Sequence, residues 1–137
     1  MSVNKVYIER LVLDIKKSID IVSNLVAKPY ELTSDVERYA VRYHLIVIAE
    51  ALMAMAMHVA RRAFGEEVES PTHALRVLKD RGLASDEEYG DVLNFIRLRN
   101  LLVHRYWVVD DKKIYDGVKS DFRNITRFIE RVVKYVG

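Results

Sequence analysis

Four side chains suited to phosphate chemistry fall close together in this chain: Arg99, Asn100, His104 and Tyr106. An arginine guanidinium offers a planar fork of donors that binds two phosphate oxygens at once. A histidine imidazole accepts or donates a proton near neutral pH. This group of residues therefore predicts a site that binds a phosphate ester and moves a proton on it.

RNA is the phosphate ester that fits this set, because its 2′-hydroxyl is a built-in nucleophile and its cleavage needs no metal in principle. Cleavage requires a base for that hydroxyl, a cation for the phosphorane and an acid for the leaving oxygen. We expect His104 to be the base or the acid and Arg99 to be the cation. His44 and His73 lie far apart without metal-ligand spacing, so we expect neither a metal nor another cofactor.

The spacing of these residues sets a geometric condition. On a continuous helix, positions five apart point about 140° away from each other, so Arg99 and His104 diverge. Either the helix loosens near His104, or the two side chains meet groups from a second subunit. A two-fold dimer brings two copies of each side chain into one cleft, and so supplies an acid and a base. Tyr106, seven residues after Arg99, shares its face if the helix continues.

Length and composition restrict the class of protein. The 137 residues are enough for one domain, which we assign to residues 1–137. The net charge of only +2 does not indicate a broad basic surface. The absence of cysteine excludes disulfides and thiolate sites and fits a cytoplasmic protein. The most apolar stretch, residues 45–60, contains Glu50 and ends in charged residues, so we interpret it as a buried helix rather than a membrane span.

Periodic apolar residues and capping signals predict an all-α, up-and-down bundle of four to five main helices. We expect the last helix to run without a break from Asp110-Asp111 to the C-terminus. The apolar middle of the second helix needs cover on most sides, and a second copy of the chain can supply it. The other predicted boundaries are residues 4–27 for the first helix, a capping box at Ser34–Glu37 and a stop at Gly65 for the second, Ser70-Pro71 and Gly82 for the third, and a second capping box at Ser85–Glu88 for the fourth.

The segment Leu98-Arg99-Asn100-Leu101-Leu102-Val103-His104-Arg105-Tyr106 resembles the HEPN superfamily, and within it the HepT-type toxins. The family motif has an arginine, a polar residue, a histidine and, in the HepT branch, a tyrosine two residues later. The buried-helix pattern at residues 45–51 is also similar. In length and helix order the resemblance covers nearly the whole chain.

The resemblance implies a homodimeric, metal-independent endoribonuclease that is the toxin of a toxin–antitoxin pair. Arg99 and His104 are then catalytic, and Asn100 organises the site. The implied partner is a minimal nucleotidyltransferase antitoxin, which in this family attaches AMP to the tyrosine that matches Tyr106. The alternative is a non-catalytic HEPN subunit that partners a nucleotidyltransferase and helps bind its nucleotide or substrate.

Several residues near the motif have two interpretations. Glu50, in the apolar middle of the second helix, either pairs structurally with Arg42 or a fourth-helix arginine, or shapes the cleft. Tyr106 is either the modified tyrosine or an aromatic at an interface. Arg97 and Arg105 are candidates for RNA binding, with a solvated basic helix end as the ordinary alternative. His58 is best explained as a core histidine with a hydrogen-bond partner.

Overall fold

A computed structural model describes residues 2–120 and 122–137 of the chain, without the side chain of Ser120. Within these residues the regular structure is entirely helical. The six α-helices are α1 (Lys5–Val26), α2 (Asp35–Phe64), α3 (Pro71–Asp80), α4 (Asp86–His104), α5 (Asp111–Ser120) and α6 (Arg123–Val136). Two short 3-10 helices, Tyr30–Leu32 and Tyr106–Val108, lie in the loops before α2 and after α4. The prediction of an all-α bundle is confirmed.

Helix α2 is the centre of the bundle and packs against α1, α3 and α4. Its length and composition would allow it to cross a membrane, but half of its most apolar window is buried within the bundle. The central helix of a protein core has this character. Its fully or nearly buried residues include Leu45, Ile48, Leu52, Met55 and Val59.

The predicted helix ends are confirmed, because the capping side chains and the glycine turn that the sequence indicated satisfy the free backbone groups at these ends. Ser34 Oγ accepts from the Glu37 amide at 3.1 Å, and Glu37 Oε1 accepts from the Ser34 amide at 3.0 Å. The same reciprocal pair joins Ser85 and Glu88 at the start of α4. Gly65 ends α2 with a left-handed φ of 63°, a conformation that glycine adopts at little cost.

The prediction of one unbroken last helix is wrong, because α5 ends at Ser120 and α6 begins at Arg123. Asp121, which the predicted helix crosses, lies outside the described residues. Phe122 has non-helical dihedrals, φ −112° and ψ 23°, and its side chain is buried. The break allows α5 to contact α1 while α6 contacts α4 as well as α1. The apolar stripe keeps its spacing across the break, so periodicity alone did not mark it.

Candidate functional site

Arg99, Asn100 and His104 all belong to the regular part of α4, which continues to His104 itself. The Arg105 amide still donates to the Leu101 carbonyl at 2.8 Å, and the chain leaves helical geometry at Arg105, with φ −141° and ψ 44°. The predicted alternative of a helix that loosens before His104 is therefore wrong. Since five helical positions separate the two side chains, Arg99 and His104 point about 140° apart.

Tyr106 does not continue the face of α4, because it begins the 3-10 helix Tyr106–Val108. A shared face with Arg99 required the helix to continue, and this condition is not met. The Tyr106 side chain is 60% exposed, and Trp107 beside it is 68% exposed. Their rings meet edge to face, with centroids 5.4 Å apart and an interplanar angle of 82°. The turn after α4 thus presents two adjacent aromatic side chains to solvent.

Glu50 of α2 holds the Arg99 side chain in place. Its Oε1 accepts from Arg99 Nε at 2.7 Å and also lies 2.7 Å from Arg99 Nη2 in an ion pair. Arg99 Nη1 also donates to Asn100 Oδ1 at 3.0 Å. The carboxylate is not buried as the sequence suggested, since the Glu50 side chain is 48% exposed and the Arg99 side chain 22% exposed. A fourth-helix arginine is its partner, one of the two that the sequence allowed.

Arg42, the other candidate partner of Glu50, instead joins α2 to the turn that carries Tyr106. Its Nε donates to Asp111 Oδ1 at 2.6 Å. Its Nη1 donates to the Tyr106 carbonyl at 3.0 Å, and its Nη2 donates to the Val109 carbonyl at 3.2 Å. Sequence reasoning missed this contact. The closest signal was the acidic pair Asp110-Asp111 directly after the aromatic turn.

His104 is exposed, and within the described part of the chain no hydrogen bond or ion pair occupies its ring. Arg97 and Arg105 are exposed as well. Residues 97–107 contain three arginines and His104 but no aspartate or glutamate. The C-terminal half of α4 and the turn after it therefore carry local positive charge on a chain that is nearly neutral overall. A phosphate chain is attracted to such a surface.

The histidines of the scaffold differ from His104 in having partners. His58 Nε2 accepts from the Asn4 amide at 3.0 Å, and burial followed by the charge of Arg62 lowers the pKa of its ring. His44 Nδ1 lies 3.0 Å from Ser18 Oγ, and its pKa is lowered mainly by burial. These contacts match the core role expected for His58. Across residues 2–120 and 122–137, no cluster of three or more histidine or acidic side chains is suited to a metal ion.

With this geometry established, comparison with known proteins identifies the family. The model of the family Ribonuclease HepT-like matches residues 14–132, most of the chain. The chain therefore belongs to the HepT-like ribonuclease family, as the motif at Arg99–Tyr106 indicated. A protein of Archaeoglobus fulgidus that is described as a candidate RNase is 29% identical over 112 residues, which are 82% of this chain and 84% of that protein.

Solved structures show the same fold at low sequence identity. The HEPN toxin of Shewanella oneidensis, in a tri-AMPylated form bound to an MNT antitoxin, superimposes with a TM-score of 0.83 at 20% identity over 94% of this chain and 97% of that one. The cytosolic protein YutE of Bacillus subtilis, of unknown function, gives a TM-score of 0.83 at 16% identity over 98% of this chain and 91% of its own. The helical arrangement is thus that of HEPN proteins.

Proposed function

We propose that this protein is a metal-independent endoribonuclease that acts in the cytoplasm as the toxin of a toxin–antitoxin pair. The observation that carries the proposal is the location of an unpaired, exposed imidazole and an anchored guanidinium on one stretch of α4, in a chain of the HepT-like ribonuclease family. The Archaeoglobus relative described as a candidate RNase supports the activity. The antitoxin complexes of the structural neighbours support the biological role.

A homodimer supplies the complete site in this proposal. Arg99 and His104 diverge on a straight helix, so one protomer does not direct both at the same phosphate. Two copies of α4 related by a two-fold axis place an Arg99 and a His104 from each chain along one cleft. The outward face of α2 offers apolar surface for such contact, since Tyr39 and Tyr43 are each 62% exposed.

Each step of cleavage then has a group to perform it. One His104 imidazole accepts the proton of the 2′-hydroxyl, whose oxygen attacks the adjacent phosphorus. The second His104, as an imidazolium, donates a proton to the 5′-oxygen that leaves. Arg99 donates hydrogen bonds to the phosphorane oxygens, while Glu50 and Asn100 hold its guanidinium in position. Arg97 and Arg105 attract the phosphate chain.

The proposed partner is a minimal nucleotidyltransferase antitoxin that modifies Tyr106. The phenol oxygen of Tyr106 attacks the α-phosphorus of ATP, loses its proton and becomes joined to AMP, while pyrophosphate leaves. Tyr106 as a residue is 60% exposed, so it lies on the surface where a partner protein can approach it. The attached phosphate adds negative charge two residues from His104, where it repels the RNA backbone and obstructs the cleft.

Expression in a bacterial host tests the nuclease. We expect wild type to arrest growth and to cleave RNA in vitro in the presence of EDTA. His104→Ala and Arg99→Ala are expected to do neither, and His73→Ala is the matched histidine control because His73 lies on α3. Equal effects of wild type and the two site variants would contradict the enzyme and favour the non-catalytic binding subunit.

Mass spectrometry tests the modification. After incubation with the cognate nucleotidyltransferase and ATP, the peptide that contains Tyr106 is expected to gain the mass of one or more AMP groups, and RNA cleavage is expected to fall. Tyr106→Phe removes the acceptor, and Tyr135→Phe is the control, because Tyr135 is 51% exposed and lies on α6, away from the proposed dimer surface. An unchanged peptide together with lost cleavage would show that the partner acts by occlusion.

A further inference from the structure

Trp107 is the single tryptophan of the chain, and it lies on the surface with 68% of its side chain exposed. Tryptophan is normally buried over most of its area, because its ring is large and apolar. This one follows Tyr106 in a regular 3-10 helix, in which the Val108 amide donates to the Arg105 carbonyl and the Val109 amide to the Tyr106 carbonyl. An exposed ring on an ordered turn is suited to contact with another molecule.

Arg42 fixes the backbone beneath this ring. Its guanidinium binds the carbonyls at both ends of the turn, Tyr106 and Val109, and the Asp111 carboxylate completes the contact. The Arg42 side chain is 17% exposed, so the contact is largely shielded from water. Because the turn is already ordered, binding of a ligand to Trp107 costs the protein little conformational entropy.

The other 3-10 helix, Tyr30–Leu32, shows what a turn of similar construction looks like when its ring is structural. Arg38, one turn before Arg42 on α2, donates to the Tyr30 carbonyl and to Thr33 Oγ1. Its guanidinium also covers the Tyr30 ring at 3.9 Å, and Tyr115 meets that ring at 5.5 Å. At the turn Tyr106–Val108, Arg42 instead binds backbone carbonyls and the Asp111 carboxylate. Among the described aromatic and cationic contacts, Trp107 has one, with the neighbouring Tyr106 ring.

The position and charge of the turn favour a nucleic acid over a protein as the ligand. Trp107 follows His104 by three residues, so their Cα atoms are at most about 10 Å apart. The segment from Arg97 to Trp107 has three arginines and no carboxylate of its own; Arg99 is paired with Glu50 of α2, while Arg97 and Arg105 are exposed. Cationic groups interleaved with an exposed aromatic ring are the composition by which proteins bind unpaired nucleotides, through phosphate contacts and base stacking.

We propose that Trp107 is the stacking platform for an unpaired base of the RNA substrate near the cleaved linkage, and that Arg42 is the positioning residue for this platform. The proposal rests on the ribonuclease function and adds its substrate class, single-stranded RNA. A duplex is excluded from this contact because both faces of each internal base are already stacked. A loop or an unpaired strand leaves a base face free for the indole.

The lone tryptophan makes the contact directly measurable. The probe is a short single-stranded oligonucleotide with 2′-O-methyl riboses, which lacks the nucleophile and is not cleaved. We expect titration with this strand to quench Trp107 emission with saturation, and the same strand annealed to its complement to leave the emission nearly unchanged. Binding of a fluorescein-labelled copy, followed by anisotropy, gives the affinity for variants that lack the indole.

The variants separate the ring from its support. Trp107→Ala is expected to weaken binding of the labelled strand by about 5- to 150-fold, the range for loss of one base–aromatic stack, and Trp107→Phe by less. Arg42→Ala is expected to lower the anisotropy of Trp107 in the free protein and to weaken binding. Arg38→Ala is the matched control on the same helix and is expected to leave both measurements unchanged.

The outcomes distinguish this proposal from the ribonuclease function beneath it. Equal binding of the labelled strand by wild type and Trp107→Ala, with RNA cleavage intact, overturns the stacking platform and leaves the nuclease. Absence of both binding and cleavage removes the ribonuclease function itself. Trp107 emission that responds to protein concentration or to the nucleotidyltransferase, but not to the strand, assigns the ring to a protein interface and also overturns the proposal.

Discussion

Helix α4 carries a carboxylate–guanidinium pair near each end, and the two pairs differ in which partner is exposed to water. In its first turn, Glu88 accepts from Arg131 Nε at 3.0 Å and Nη2 at 2.8 Å, and the Glu88 side chain is 3% exposed. In its C-terminal half, Arg99 binds Glu50, which is 48% exposed. The first pair thus has a buried carboxylate and a guanidinium that is 44% exposed, whereas the second has a half-exposed carboxylate and a guanidinium that is 22% exposed.

The burial of the Glu88 carboxylate determines what the first pair can do. Glu88 also accepts from the Ser85 amide, so its carboxylate joins the cap of α4 to α6 and has no capacity for a ligand. The Arg131 hydrogen bonds hold the pKa of Glu88 below its usual value against the opposing effect of burial, and they raise that of Arg131. In the second pair Glu50 orients Arg99, whose side chain keeps 22% of its surface exposed for contact with a phosphate.

The largest difference between the two pairs is expected in RNA cleavage, when the arginine of each pair, Arg99 or Arg131, is replaced by lysine. Arg99→Lys keeps the charge but loses the planar fork, so RNA cleavage is expected to fall about 100-fold. Arg131→Lys is the matched control, and its cleavage rate is expected to stay at the wild-type level. Initial rates on a defined RNA measure both. Loss of cleavage in Arg131→Lys without unfolding would contradict the assignment of the two pairs.

The second-largest effect is expected on the free energy of unfolding, when the buried Glu88 carboxylate loses its arginine partner. Arg131→Ala leaves the Glu88 carboxylate buried without its main partner, which is expected to cost about 1–3 kcal/mol of unfolding free energy. Urea denaturation followed by circular dichroism measures it. Arg99→Ala is the control and should cost less than about 1 kcal/mol, because exposed pairs contribute little. A larger loss in Arg99→Ala than in Arg131→Ala would reverse the comparison.

The buried Glu88 carboxylate also predicts a pH dependence of the free energy of unfolding. Because the pKa of Glu88 is lowered on folding from its usual 4.5, its contribution is present above that value and is lost as the pH falls through the folded-state pKa. The difference in unfolding free energy between wild type and Glu88→Gln should therefore be constant near neutral pH and shrink as the pH falls below about 5. Urea titrations of both proteins across this range measure the difference. A difference that stays constant with pH would show that ionisation of Glu88 is not what stabilises α4.

The smallest effect is expected at Glu50. Glu50→Gln keeps an oxygen that accepts from Arg99 but removes the negative charge, and an exposed pair of this kind is worth at most about 1 kcal/mol. RNA cleavage is expected to fall about fivefold or less, with no measurable change in thermal stability. Glu50→Ala removes the acceptor as well and is expected to lower cleavage further. If Glu50→Gln abolished cleavage entirely, Glu50 would have to act on the substrate itself rather than through Arg99.

The local parts of the fold were predictable because their causes lie within a few residues. The capping boxes at Ser34 and Ser85 and the left-handed Gly65 place helix ends where the sequence indicated them. The break at Phe122 was not predicted. Its cause is the different packing of α5 and α6 against the rest of the bundle, while the apolar spacing continues through it.

The candidate site likewise has one part that was predictable from the sequence and one part that was not. Arg99, Asn100, His104 and Tyr106 were identified from their types and spacing, since phosphate chemistry selects those side chains. For Glu50 the sequence offered Arg42 or a fourth-helix arginine without deciding between them, and it did not identify Asp111 as the partner of Arg42. Arg99 and Asp111 are distant in sequence and approach α2 only after the helices have packed.

What the sequence by itself determined, therefore, is the helical content, most of the helix ends and the candidate site residues in and directly after α4, all of which follow from local geometry and residue chemistry. The tertiary structure alone decided which arginine pairs with which carboxylate, that Trp107 is presented to solvent on an anchored turn, and that the Glu88 carboxylate is buried while that of Glu50 is half-exposed. These depend on contacts between segments tens of residues apart, and the free energy of such contacts is set by the packing of the whole bundle.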